Sequence, residues 1–268
     1  MKKKSVVLLL SVFFMFVAGT EAVTIFQTFD ADPTLGGGWT SSVQGSSEFA
    51  YNALGYLDTE YVRSLTNVDR YATALGTTYD KTQEYWWEMD IQMDSSSWFT
   101  AKTGSMGLFN STNDNKTNIM IGEFGFSNAS VHNRVDWHVY LSGGTTRYKA
   151  GPQTEDDSYL RFKTHYWYVP GALAYVQMDV YDILTGELVG STGVQSVVTA
   201  AESVFYNSFG LANLYGSEQG GNLIAKIDNL YFSTTSANAN PVNPNFIPEP
   251  ASICIFAVGS LLIACRKK

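Results

Sequence analysis

Short runs in which apolar and polar residues alternate fill the chain from Val23 to about Thr235, and clusters of Gly, Asn, Asp and Ser separate them. Period-two alternation puts successive side chains on opposite faces of a strand, so each run predicts a strand with one buried face. The pattern predicts strands over Ile25–Phe29, Tyr85–Met93, Ile119–Phe126, Val135–Leu141, Tyr159–Tyr168, Ala174–Leu184, Leu188–Ser191, Ser208–Leu214 and Leu223–Phe232. Thr185-Gly186 is a hairpin turn signal between two of them. Many short strands with frequent turn signals predict an all-β fold, an antiparallel two-sheet sandwich, over residues 23–235. Residues 236–246, rich in Asn, Pro and Ala, read as a linker.

The two ends break this pattern. Lys2, Lys3 and Lys4 precede an apolar run from Val6 to Ala18 and the small-residue stretch Gly19-Thr20-Glu21-Ala22. A basic start, a short apolar stretch and a small residue predict a secretory signal helix over 1–22, cleaved after Ala22, with Ala18 or Gly19 as alternatives. At the other end, Pro248-Glu249-Pro250 leads into an apolar run and closes on Arg266-Lys267-Lys268. The run from Ile253 to Cys265 is about 13 residues, about 20 Å as a helix against a hydrocarbon core of about 30 Å, too short for a comfortable permanent span. The two prolines keep the chain before it extended, and the basic end stays on the cytoplasmic side. The segment therefore reads as a transient stop in the inner membrane.

Ile247-Pro248-Glu249-Pro250-Ala251-Ser252, followed by an apolar helix and a basic end, resembles the PEP-CTERM sorting signal of Gram-negative bacteria. The resemblance covers residues 247–268, with Pro248, Glu249 and Pro250 as its motif. It implies recognition and cleavage by an exosortase and delivery to the cell surface or the extracellular polysaccharide matrix. An ordinary tail anchor is the alternative.

Charge and cysteine narrow the partners. The tails hold six of the 17 Lys and Arg and two of the 25 acids, so 11 basic and 23 acidic residues remain between them, a formal charge of −12. Such a surface excludes a nucleic-acid partner, which requires a basic footprint. Cys254 and Cys265 both lie in the C-terminal run, so the middle contains no disulfide, cysteine nucleophile or cysteine metal site.

The stretches TFDADPTLGGGWT, YVQMDVYDILTGELVGSTG and FGLANLYGSEQGGNLIAKIDNLYF together resemble a concanavalin A-like (laminin G-like) jelly roll. The resemblance implies that the first and last strands pair, bringing Asp30 toward Asp228. It implies either a lectin or a glycoside hydrolase, which the fold alone does not separate. Retaining glucanases of this fold carry ExDxE or ExDxxE on one strand. Here Glu88 and Asp90 fill the first two places, but the third falls on Gln92 or Met93, neither of which can protonate a leaving group. Asp94 is one position out and points to the opposite face of a regular strand. The expectation is therefore a non-catalytic protein, with a glycan-active enzyme or a purely structural matrix protein as alternatives.

Trp86, Glu88, Asp90 and Gln92 share one strand face, and Tyr159, Arg161, Lys163, His165 and Trp167 form a second polar-aromatic series. Aromatic rings beside acids, amides and a guanidinium suit a sugar, whose C–H face packs on a ring while its hydroxyls hydrogen-bond. Trp86, Glu88, Asp90, Gln92, Arg161 and Trp167 are the candidate carbohydrate-binding residues, with exopolysaccharide as the expected ligand. Asp30, Asp32 and Asp228 are a candidate calcium site, turn capping being the other reading, and no other cofactor is expected. His132, His138 and His165 have no spacing that suggests zinc or a triad.

Overall fold

A computed structural model describes residues 22–238 apart from 36–37, 44–45, 63–68, 81, 95–97, 100–101, 110–118, 126–133, 142–146, 150–153, 156, 171–173, 198–205 and 214–220. The signal segment, most of the linker, and Pro248, Glu249 and Pro250 of the sorting segment lie outside the described residues. So do His132 and the sequence 198–205. Among the described residues no helix is long and apolar enough to cross a membrane.

The strands are β1 (Thr24–Gln27), β2 (Trp39–Ser42), β3 (Glu48–Asn52), β4 (Tyr56–Val62), β5 (Arg70–Tyr79), β6 (Tyr85–Met93), β7 (Trp98–Phe99), β8 (Lys102–Phe109), β9 (Ile119–Gly125) and β10 (Arg134–Leu141). They continue with β11 (Arg147–Lys149), β12 (Thr154–Glu155), β13 (Tyr159–Tyr168), β14 (Ala174–Asp182), β15 (Leu188–Ser191), β16 (Gln195–Val197), β17 (Tyr206–Asn213) and β18 (Gly221–Ser233). Among the described residues one 3-10 turn, Pro33–Leu35, interrupts them. Sheet A runs β15-β14-β13-β6-β18-β4-β3, with β1 and β7 against β18 and β16 against β14. Sheet B runs β11-β10-β9-β8-β17-β5-β2, with β12 against β10. Every pairing is antiparallel. The antiparallel two-sheet sandwich expected from the alternation is therefore the fold of the molecule.

Aromatic rings seal the two sheets face to face. Phe209 of sheet B stacks on Phe232 of sheet A with centroids 5.4 Å apart, and Tyr79 of sheet B packs edge-on against Tyr85 of sheet A at 6.0 Å. Phe49 of sheet A stacks on Tyr71 of sheet B at 5.9 Å, and Trp39 of sheet B stacks on the same Tyr71 at 5.1 Å. Such pairs contribute about 0.5–1.5 kcal/mol each beyond their area burial. A buried polar knot ties the same edge. Asp69 accepts from the Ser47 amide at 3.1 Å, and its own amide donates to the Asn213 side chain at 2.9 Å. The Asn213 Nδ2 donates to the Val62 carbonyl at 2.7 Å.

β1 pairs with β18 from Thr24 opposite Ser233 to Gln27 opposite Leu230. The Thr234 amide donates to the Val23 carbonyl at 3.1 Å, and the Val23 amide donates to the Thr234 hydroxyl at 3.2 Å. The two ends of the body thus leave it side by side. The folded body also continues past the expected boundary at 235. Asn238 is buried, and residues 234–238 turn back across the outer face of sheet A.

Candidate functional site

β6 lies between β13 and β18, and its alternation gives it two unlike faces. Trp87, Met89, Ile91 and Met93 enter the core, and Trp86, Glu88, Asp90 and Gln92 face outward from sheet A. The register sets Arg161 of β13 opposite Asp90, Lys163 opposite Glu88 and His165 opposite Trp86. From β14, Tyr181 stands opposite Arg161, Asp179 opposite Lys163 and Tyr175 opposite Trp167. The two polar-aromatic series of the sequence are therefore neighbours on one face.

The ionic part of that face is closed. Glu88 is 1% exposed and Asp90 0%. Arg161 clamps Asp90 side-on, Nε donating to Oδ1 at 2.6 Å and Nη2 to Oδ2 at 2.8 Å, and Asn229 Nδ2 donates to the same Oδ2 at 2.6 Å. Asn229 reaches that position because β18 carries one extra residue between Asp228 and Tyr231, with Asn229 at φ 50°. A bulge re-aims a side chain in this way, and Asn tolerates the left-handed region better than most residues. Burial works against the Arg161 charge, but the Asp90 hydrogen bonds and the nearby Asp90, Glu88 and Asp228 carboxylates outweigh it and hold the guanidinium above its ordinary value.

Glu88 accepts the Asn238 amide at 2.7 Å and stands 3.7 Å from the Lys163 ammonium. Burial pushes its carboxyl up from the ordinary glutamate value, while the Asn238 amide, Lys163 and Arg161 pull the other way. The covering segment is held by Ser233, whose hydroxyl accepts from the Thr235 amide at 3.1 Å, and by Tyr231, whose hydroxyl donates to the Ser236 carbonyl at 2.8 Å. Gln92 donates to Asp157 at 3.2 Å and to the Met93 carbonyl at 3.0 Å.

The aromatic part of the face is open. Trp86 and His165 stack with centroids 4.6 Å apart and planes 9° from parallel. His165 and Trp167 follow at 4.6 Å, and Trp167 and Tyr175 at 5.6 Å. All four rings are half-buried, and Glu84, itself exposed, holds His165 Nε2 at 2.7 Å. Across the neighbouring strands Trp86 faces Ser233 and Tyr175 faces Ser196, so the two end rings have short neighbours on their outer sides.

The six candidate sugar-binding residues thus share one face but divide in two. Glu88, Asp90 and Gln92 have their polar groups turned into the protein. Trp86 and Trp167 border solvent, and Arg161 is largely covered, with 13% of its side chain exposed. His165, which the sequence placed in the second polar-aromatic series but not among the six candidates, and Tyr175, which it did not single out, complete the ladder. Their signal was the register: His165 lies two residues before Trp167, and Tyr175 directly across from it.

The glucanase-type strand has no third carboxylate on its outer face, because β6 pairs with β13 without a bulge and Gln92 occupies the place. The calcium candidates do not gather. Asp32 accepts the Thr34 amide at 2.9 Å and its hydroxyl at 2.7 Å, capping the 3-10 turn, and Asp30 accepts from Thr28 at 2.5 Å. Asp228 is buried in β18 beside Asp90. Among the described residues no group of three or more His, Cys, Asp or Glu could hold a metal ion.

No protein-family model matches the chain, and no curated protein matches it. Solved structures do match. An endo-β-1,4-glucuronan lyase from the fungus Trichoderma reesei aligns over 74% of this chain and 92% of its own, with 12% identity and a TM-score of 0.43. A PL-14 alginate lyase from Aplysia kurodai aligns over 74% and 87%, with 9% identity and a TM-score of 0.44. Lectin I-B4 from Griffonia simplicifolia aligns over 83% and 96%, with 12% identity and a TM-score of 0.41. These likenesses are distant, and they join enzymes and a lectin in one set. The expectation of a non-catalytic protein is corrected on that ground: polysaccharide lyases stand among the matched structures, so the description of the chain as a non-enzyme is withdrawn.

Proposed function

We propose that this chain is an exported protein that binds polysaccharide along the aromatic ladder on the outer face of sheet A, and that a C-terminal sorting step places it at the surface of a Gram-negative cell or in its matrix. The observation that carries the binding reading is the row Trp86, His165, Trp167 and Tyr175. It crosses three adjacent strands, so it is about 10 Å wide at the strand spacing of about 4.8 Å. Its polar fringe consists of Glu84, Gln177 and Lys163, and its end rings, Trp86 and Tyr175, supply faces for pyranose C–H groups. Ring contact with hydrogen-bonding groups at the edge is what an amphipathic sugar requires.

The sorting reading rests on the order of elements at residues 247–268 and on the signal segment at 1–22. It is supported by the adjacency of Val23 and Thr234, since removal of both end segments leaves a body whose first and last strands are already paired. Exosortase is the partner this reading requires, with transient residence in the inner membrane.

A glycan array probed with the full-length protein tests the binding. A positive glycan should lose about tenfold or more in affinity with Trp86→Ala, about 1.4 kcal/mol. An empty array, or an unchanged affinity in that variant, defeats the proposal. Mass spectrometry of the native protein tests the sorting: the mature chain should end near Pro250, and recovery of Lys268 on an inner-membrane species would overturn it.

A further inference from the structure

The aromatic ladder stands in an acidic setting. Its rings come from Trp86, His165, Trp167 and Tyr175, and the register fixes which side chains share their face. Four stretches build this part of sheet A: residues 84–90, 161–167, 175–181 and 228–233. Their carboxylates are Glu84, Glu88, Asp90, Asp179 and Asp228, and their Lys and Arg residues are Arg161 and Lys163.

The two bases are turned from the rings. Arg161 closes on Asp90 through bonds of 2.6 and 2.8 Å. Lys163 borders the row, but its ammonium leans the other way. It lies 3.7 Å from Glu88 and 5.9 Å from the centroid of Tyr181, which stands opposite Arg161 on the side of Lys163 away from His165. The carboxylates are placed differently. Asp179 accepts from neutral groups, Gln177 Nε2 at 3.0 and 2.9 Å and Ser191 Oγ at 2.5 Å. Glu84 stands at the row itself, 2.7 Å from His165 Nε2, with 49% of its side chain exposed. A surplus of carboxylates around half-exposed rings sets a negative potential over them, and such a field reaches about 10 Å at 0.1 M salt. The formal charge of the whole chain, −8, has the same sign.

An ammonium group gains twice in that setting. The carboxylates attract it, and the face of an indole attracts a cation within about 6 Å of the ring centroid. A neutral sugar gains neither term, and an acidic sugar is repelled. We infer that the ladder selects an amino-sugar polysaccharide, whose units carry free ammonium groups, and that Glu84 is the residue that reads the charge. This inference rests on the ladder being the polysaccharide site proposed above.

Titration calorimetry of the full-length protein at about pH 6 tests it with three hexamers: β-1,4-linked glucosamine, its N-acetylated counterpart, and cellohexaose. The glucosamine hexamer should bind at least about tenfold more tightly than either uncharged one. Raising the salt from about 0.05 to about 0.5 M should weaken the glucosamine hexamer and leave the others unchanged. Glu84→Gln, at a half-exposed position, should weaken the glucosamine hexamer about three- to fivefold with cellohexaose and the melting temperature unchanged. Trp86→Ala should weaken all three. If the three hexamers bind equally and all depend on Trp86, the ladder stands as a polysaccharide site and the charge selection is overturned. If glucosamine binding is unaffected by Glu84→Gln, the assignment of Glu84 is overturned. If no hexamer binds, or if glucosamine binding survives Trp86→Ala undiminished, the inference falls together with the site on which it rests.

Discussion

Two neighbouring patches on the outer face of sheet A use the same strands for opposite ends. Where β6 carries Glu88 and Asp90, the charged side chains are as buried as the core, and Arg161, Lys163, Asn229 and the returning segment at Asn238 meet them. One step along, where β6 carries Trp86, large apolar rings remain half-exposed and stack on one another. Residue type alone predicts the reverse assignment, since charges seek water and indoles avoid it. The difference is one of satisfaction. A buried carboxylate is tolerable when a guanidinium and an amide donate to it, and rings that stack in register cover each other's faces without leaving the surface. The ionic patch reads as architecture and the aromatic patch as surface available to a ligand.

Removing Arg161 should break the first patch with the largest effect of any change on this face. Arg161→Ala leaves Asp90 buried with the Asn229 amide as its remaining hydrogen-bonded neighbour, next to Asp228. Removing one partner of a buried pair costs about 3–5 kcal/mol, far more than the pair's net contribution. Trp167→Ala, in the ladder, should cost about 0.5–1.5 kcal/mol for each stacked neighbour it loses. Urea unfolding of the two variants measures both. Equal costs, or a larger cost at Trp167, would dissolve the division between the patches.

The division was only half legible in the sequence. β6, β13 and β15 match their predicted bounds because their alternation is strict and Gly, Asp or Pro residues frame them. β4 and β5 escaped notice. In β5 the bulge at Gly76-Thr77-Thr78 breaks the period, and β4 mixes Asp58, Thr59 and Glu60 between its tyrosines. Alternation puts Glu88 and Asp90 on one face with Trp86, but their burial was not readable. It depends on Asn229, which a bulge in a distant strand re-aims, and on Asn238, which belongs to a segment whose composition reads as linker. Tertiary partners separated by 139 and 150 residues leave no local pattern.

Glu88 offers the finer measurement, because its protonation reports how fully the returning segment seals the patch. Burial raises its carboxyl above the ordinary value of 4.5, so the folded state binds a proton more readily than the unfolded chain. A group of that kind stabilises the fold when protonated. The stability it adds is complete below the unfolded value and is lost as pH rises through the folded value. Glu88→Gln removes the titration while keeping an oxygen for the Asn238 amide. The stability of the parent minus that of the variant should therefore rise as pH falls from 7 toward 4 and level off below about 4.5. Taking the difference cancels the other carboxylates, which titrate alike in both proteins. A difference that stays flat over that interval would mean that residues 234–238 admit water to Glu88. A difference that falls on acidification would mean that Lys163 and Arg161 outweigh burial, and that the carboxylate acts there as a charge the fold requires.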